Sequence, residues 1–165
     1  MKNYLLNLAK INMWQNEKLR AHFKEHEVIL VSIVTPYGSF KDLIYHIYGA
    51  IEYWLRRTNG TWMEFDVTKE KRVNTKSFQE LLLEWKKMDE FWISEMEKLP
   101  NSIDQTSEIT YKNLKGISVT MKILDAISHL SHHCFYHKGQ LALLIRQNNL
   151  PQLPPLDAIY YYLMH

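Results

Sequence analysis

Phe40, Ile44, Ile47, Ile51 and Trp54 recur at spacings of four, three, four and three. A strand would scatter these residues over both faces, whereas a helix gathers all five on one stripe. Three further stripes follow the same rule. Leu5, Leu8, Ile11, Asn12, Gln15 and Leu19 mark a first helix over roughly 3–24, with Trp14 beside the stripe. Phe78, Leu81, Leu82, Trp85, Met88, Trp92 and Met96 mark one ending near Lys98, and Ile123, Ile127, Leu130, Cys134, His137, Leu141 and Leu144 mark one over about 120–148. A helix with one apolar stripe has to bury it against a neighbour, so four of them predict an all-α four-helix bundle. At 165 residues the chain suits a single domain over 1–165, long enough for a real core.

Punctuation is sparse, with five Gly and five Pro, which favours long helices. Residues 27–39 break the first pattern, and Thr35-Pro36-Tyr37-Gly38-Ser39 is a turn cluster. Ser39 can cap the second helix, with Asp42 three residues later favouring its N-terminus. Asn59-Gly60 stops that helix. Thr75 or Ser77 starts the third, and Pro100 ends it. Residues 101–119 read as an irregular, extended crossover, with a turn at 113–116 and a small hairpin around it. Asn149-Leu150-Pro151 closes the fourth helix, and 156–163 forms a short fifth.

The charge balance is 20 basic against 18 acidic residues, net +2, and lacks the basic face of a nucleic-acid binder. The short clusters Arg56-Arg57 and Lys69-Glu70-Lys71-Arg72 are expected in solvent. No apolar run has transmembrane length, and the N-terminal MKNYLLNLAKIN has no signal-peptide core. One cysteine, Cys134, allows no internal disulfide, so a cytoplasmic protein is expected. Cys134 lies in the apolar seam and reads as a small buried hydrophobe.

Four of the eight histidines fall between His129 and His137. His137 interrupts an apolar seam, and His133 precedes it by one turn, so their imidazoles are neighbours on one face. Such a pair can share one metal ion. The HExxH zinc helix uses this spacing, but here no Glu follows His133, which excludes that protease chemistry. His129 extends the row, yet three histidines over i to i+8 rise about 12 Å, too far for one ion. His129 is therefore a pocket or outer candidate. His132 is rotated about 100° off the face. His46 flanks the inward seam of the second helix, with Gly49 and Ala50 one turn below leaving room, and is a possible third ligand. Glu52 lies off its face and is not a fourth. Three imidazoles with positions left open would suit a catalytic rather than a closed structural zinc site, and they also suit Ni, Fe and Cu. The alternative is a set of hydrogen-bonded bundle histidines, each needing a partner to be buried at low cost.

These residues resemble a family. His133-Cys-Phe-Tyr-His137-Lys-Gly-Gln140 is similar to the HxxxHRGQ signature of the DinB/YfiT-like proteins, and Asp42-Leu-Ile-Tyr-His46-Ile to the segment carrying that family's first ligand. Trp14-Gln-Asn16 resembles the W-x-N stretch of its first helix. Gly116-Ile-Ser118-Val-Thr120-Met resembles the entry to its last long helix, and Pro154-Pro155-Leu-Asp157-Ala-Ile159-Tyr160 its tail. The resemblance implies a four-helix bundle, usually dimeric, with a divalent metal on His46, His133 and His137. The chain departs from the signature at Lys138, where Arg is typical: the charge is kept and the planar fork is lost. Tyr136 stands where the family more often has His.

A family does not fix a reaction. The relatives include thiol-dependent transferases and a thiol-dependent isomerase, and a metal with open positions allows two routes, a bound low-molecular-weight thiol attacking a small electrophile, or a bound water acting in hydrolysis. The expectation is thus a metal-dependent transferase or hydrolase with Zn or Ni, acting on a small molecule as a homodimer, with neither nucleic acid nor membrane as partner. A non-catalytic, stress-associated bundle held together by its ion is the alternative. Gln140, one turn beyond His137, is read as packing or capping ahead of a hydrogen bond near the metal, Tyr160-Tyr161-Tyr162 as tail packing or dimer interface, Trp54, Trp85 and Trp92 as core, and Trp14 as a candidate pocket wall.

Overall fold

A computed structural model describes residues 1–60, 76–113 and 115–164. The helices are α1 (Lys2–Glu25), α2 (Glu27–Leu30), α3 (Phe40–Thr58), α4 (Phe78–Lys98), α5 (Ile123–Gln147) and α6 (Ala158–Met164). Two small antiparallel hairpins interrupt them: β1 (Val34–Thr35) with β2 (Gly38–Ser39), and β3 (Glu108–Lys112) with β4 (Ser118–Lys122). The four long helices α1, α3, α4 and α5 pack around one core. No described helix is long and apolar enough to cross a membrane.

The capping chemistry read from the sequence is present. Ser39 Oγ accepts from the Asp42 amide at 3.2 Å, and Asp42 Oδ2 accepts from the Ser39 amide at 2.7 Å, a reciprocal box that starts α3. Ser77 and Glu80 repeat the device at α4; Thr75 lies outside the described residues. Asn149 ends α5 in the left-handed region, at φ 55°.

The core is built on the stripes. Phe40, Ile44, Ile47 and Ile51 are all fully buried, and Leu55 takes the last place of the α3 seam, leaving Trp54 half-buried. In α4, Phe78, Leu81, Trp85, Trp92 and Met96 are buried. The seam position between Trp85 and Trp92, however, belongs to Asp89, not to Met88, which is only half-buried.

Three local expectations change. Residues 120–122, read as the start of the last long helix, complete β4, and α5 begins at Ile123. The β-branched Val119 and Thr120 pair across the hairpin, Thr120 with Thr110 through their hydroxyls at 2.8 Å. Within 27–39 there is a helical turn and a small hairpin, where the sequence shows only a break and the turn cluster at 35–39. Arg57, expected in solvent, is 3 % exposed. Its guanidinium lies over the rings of Tyr53 and Tyr111 and donates to the Tyr53 carbonyl at 2.9 Å, so aromatic faces take the place of water. Arg56 pairs with Glu52 one turn back. The cluster at 69–72 lies outside the described residues.

Candidate metal centre

Helix α3 presents His46 toward α5, and α5 presents His133 and His137 toward α3. The three Nε2 atoms converge. His46 and His137 are 3.1 Å apart, His46 and His133 3.2 Å, and His133 and His137 3.2 Å. The i, i+4 spacing stacks the α5 pair on one face, and the packing of α3 on α5 brings the third ring across. Among the described residues no carboxylate or thiol joins this group.

The triangle has the size of one face of a coordination shell. Metal–nitrogen bonds of about 2.05 Å give edges of about 3.3 Å in a tetrahedron and about 2.9 Å in an octahedron. The observed edges fall between the two. Such a face leaves the opposite side of an ion to other ligands.

The electrostatics keep these rings uncharged. Burial lowers the pKa of all three rings, and the charge His137 would carry lowers His46 further. Burial first, then the charges of His137, His46 and His129, brings His133 down to about 4. At neutral pH the set is three neutral imidazoles, the form that ligates.

Each ring is held differently. His137 is buried, and its Nδ1 lies 2.7 Å from Gln140 Oε1, so it donates there and leaves Nε2 bare. That corrects the reading of Gln140 as packing or capping: one turn past the histidine, it orients the ring. His133 Nδ1 is buried with no partner. His46 is stacked on Tyr37, centroids 4.8 Å apart and planes at 27°.

The other candidates lie outside the triangle. His129 is exposed, edge-on to Trp54 at 4.9 Å and 6.0 Å from the His133 ring. His132 is exposed on the far side. A side chain at Gly49 would meet the Tyr45 ring. Cys134 is fully buried and burial pushes its thiol up to about 12, which suits an inert core residue. Trp14 packs edge-on against Tyr161 of α6, which is tail packing.

Next to His137 lies a polar cluster that the stripes did not expose. Lys138 is 3 % exposed, and its ammonium donates to Asn12 Oδ1 at 2.6 Å and Gln15 Oε1 at 2.8 Å. Asn12 and Asn16 donate in turn to Asp89 Oδ1 at 3.2 Å and 2.7 Å, and Arg20 pairs with Asp89 Oδ2. Gln15 also donates to the Leu156 carbonyl at 2.6 Å, pinning the C-terminal segment. The lysine at the departure from the family signature therefore uses point-charge contacts to two amide oxygens. The sequence signal for this cluster was a charged residue, Asp89, standing on an apolar seam, with Asn12, Asn16 and Arg20 at i, i+4 and i+8 on α1.

A cavity of about 760 Å³ lies between α5 and the segment 152–160 and is lined by Lys138 and Arg146 but by none of the three histidines. Volume alone would direct attention there. The converging ring nitrogens make the triangle, and not that cavity, the group that could hold a metal ion.

Neither the curated proteins nor the solved structures offer a match to this chain. One family model does match, and it covers nearly all of the sequence: over residues 1–153 the chain belongs to the DinB family.

Proposed function

We propose that the protein binds one divalent transition metal, Zn or Ni, on His46, His133 and His137, and uses the open side of that ion in a transferase or hydrolase reaction on a small molecule. One observation carries the reading. Three ring nitrogens stand 3.1–3.2 Å from one another, and hydrogen bonds cannot account for all three contacts. His137 Nε2 is bare because its proton faces Gln140. Protons on His46 and His133 could satisfy two contacts, but the third would then set N–H against N–H. Without them, lone pairs face lone pairs. A cation in front of the triangle satisfies every nitrogen at once.

A bound ion of this kind lowers the pKa of a coordinated thiol or water and so supplies a nucleophile near neutral pH. The chain's own contribution is to keep the three imidazoles neutral, to orient His137 through Gln140, and to bury one side of the site against the core. The resemblance to the DinB/YfiT-like proteins suggests a low-molecular-weight thiol as the co-substrate and a homodimer as the working form, and the single cysteine suits a reducing cytoplasm. A second reading, a structural ion, is favoured by the ligands' placement on two different helices, because the ion would then tie α3 to α5.

Plasma mass spectrometry on untagged protein, wild type beside His133→Ala, tests the site. About one equivalent of metal in the wild type, lost in the variant, is expected. No metal in either, after reconstitution with Zn²⁺ or Ni²⁺, sinks the proposal. A screen of thiol and electrophile pairs then separates the two readings. Turnover that disappears with His137→Ala marks an enzyme, and a large fall in melting temperature on chelation without turnover marks a structural ion.

A further inference from the structure

Tyr37 sits at the tip of the β1–β2 hairpin, and its ring touches two of the three histidines. It stacks on His46 with centroids 4.8 Å apart, and stands edge-on to His137 at 5.3 Å. The hairpin that carries it is fixed to the start of α3. The Tyr37 amide donates to Thr35 Oγ1 at 3.1 Å. Gly38 holds φ at +110°, and a Cβ there would lie 2.7 Å from Asp42 Oδ2, the oxygen that already accepts from the Ser39 amide and hydroxyl. Only glycine fits that turn, so the chain preceding α3 has little freedom in where it places the Tyr37 ring. His46 lies less than two turns further along the same helix.

His46 needs such a support. His137 has Gln140, and His133 is enclosed by the core and its neighbours. His46 is half-exposed, and among the described residues its Nδ1 makes no hydrogen bond. A ligand ring without an orienting partner swings about its side-chain bonds, and fixing it costs conformational entropy at the moment of binding.

We propose that Tyr37 is a positioning residue of the metal centre: by stacking on His46 it holds the imidazole with Nε2 aimed at the other two, in the role that a second hydrogen bond plays for His137. The contact is face to face, so the ring matters and the hydroxyl does not. Tyr37 is 39 % exposed, so removing it takes little from the core.

The inference rests on the three-histidine metal reading, and the test separates the two. Co²⁺ is titrated into metal-free wild type, Tyr37→Phe and Tyr37→Ala, following the ligand-field absorption and the rate of metal loss to a chelator. Wild type and Tyr37→Phe should bind alike, while Tyr37→Ala should bind about 10- to 100-fold more weakly and release the ion faster, the range for lost orienting partners. Melting temperatures of the metal-free proteins should stay together. Equal binding by all three would overturn the role of Tyr37 and leave the site standing. A Phe variant as weak as the Ala variant overturns it also, since the hydroxyl would then be the active part. No binding by the wild type removes both claims together. Should Tyr37→Ala lose helical circular dichroism, Tyr37→Leu takes its place under the same criteria, keeping bulk without a ring face.

Discussion

Two polar clusters share α5, and they are built on opposite principles. Around Asp89, donors and acceptors alternate: Arg20, Asn12 and Asn16 give to the carboxylate, and Lys138 gives to Asn12 and Gln15. Apart from Asn16 Oδ1, its buried side-chain groups are partnered. Around His46, His133 and His137 the same kind of group meets itself three times, and no arrangement of protons closes the set. His137 and Lys138 are adjacent in sequence yet belong to different clusters, because one residue along a helix is a rotation of about 100°. A closed network ties α1, α4 and α5 together, whereas an open one needs something from outside. Charge within a bundle does not by itself mark a functional site, and the proposed metal site rests on unpaired convergence instead.

Breaking the closed cluster should have the largest effect on folding. Asp89→Ala leaves the Arg20 guanidinium buried without its anion and should cost about 3–5 kcal/mol. That is a large share of an ordinary domain's stability of about 5–15 kcal/mol. Urea denaturation would measure it, and a loss below about 1 kcal/mol would mean that water reaches Arg20 and the network is not closed. Breaking the open cluster should do the reverse. His133→Ala should abolish metal binding, an effect beyond the roughly 100-fold limit of orienting partners. It should leave the metal-free protein no less stable, because the buried Nδ1 that has no partner goes with it. A clear fall in metal-free stability would show that the three histidines are a structural set. Gln140→Ala is the intermediate case, with metal affinity down about 10- to 100-fold, read by competition with a chromophoric chelator.

The two clusters were unequally legible in the sequence. The bundle, its caps and the α5 histidine pair follow from local spacing, because helix geometry alone decides which residues share a face. His46 can be placed beside the inward seam of α3, and the family resemblance joins it to the α5 pair, but which ring nitrogen it offers depends on packing against α5. Gln140 stays ambiguous in the sequence, since a residue at i+3 can cap, pack or orient, and only the side-chain rotamer decides. Apolar character as a guide to the seam selects Met88 over Asp89, because a buried carboxylate is recognisable only with its partners on α1. The periodic pattern of α5 continues smoothly into residues 120–122, where pairing with β3 takes precedence.

Acidification offers the smallest and most discriminating contrast. Burial and the neighbouring rings of His137, His46 and His129 hold His133 at about 4, below the ordinary 6.5. The unfolded chain therefore takes up that proton first. The contribution of His133 to stability is whole above pH 6.5 and is lost as the pH falls toward 4. Asp89 behaves oppositely. Burial raises it to about 6 from 3.8, against the opposing pull of Arg20, Asn16 and Lys138, so here the native state takes up the proton first. Its contribution is present below 3.8 and is lost as the pH rises through about 6. Over the same window one cluster weakens the fold and the other strengthens it. Urea midpoints of chelated protein at about pH 7 and about pH 5 should separate them. Asp89→Asn removes the opposing gain and should lose more stability on acidification than wild type does, while His133→Gln should lose less. Identical changes in Asp89→Asn and wild type would mean that Arg20 keeps the carboxylate ionised throughout. The closed cluster would then be a permanent ion pair, indifferent to the pH range in which the open one gives up its lone pairs.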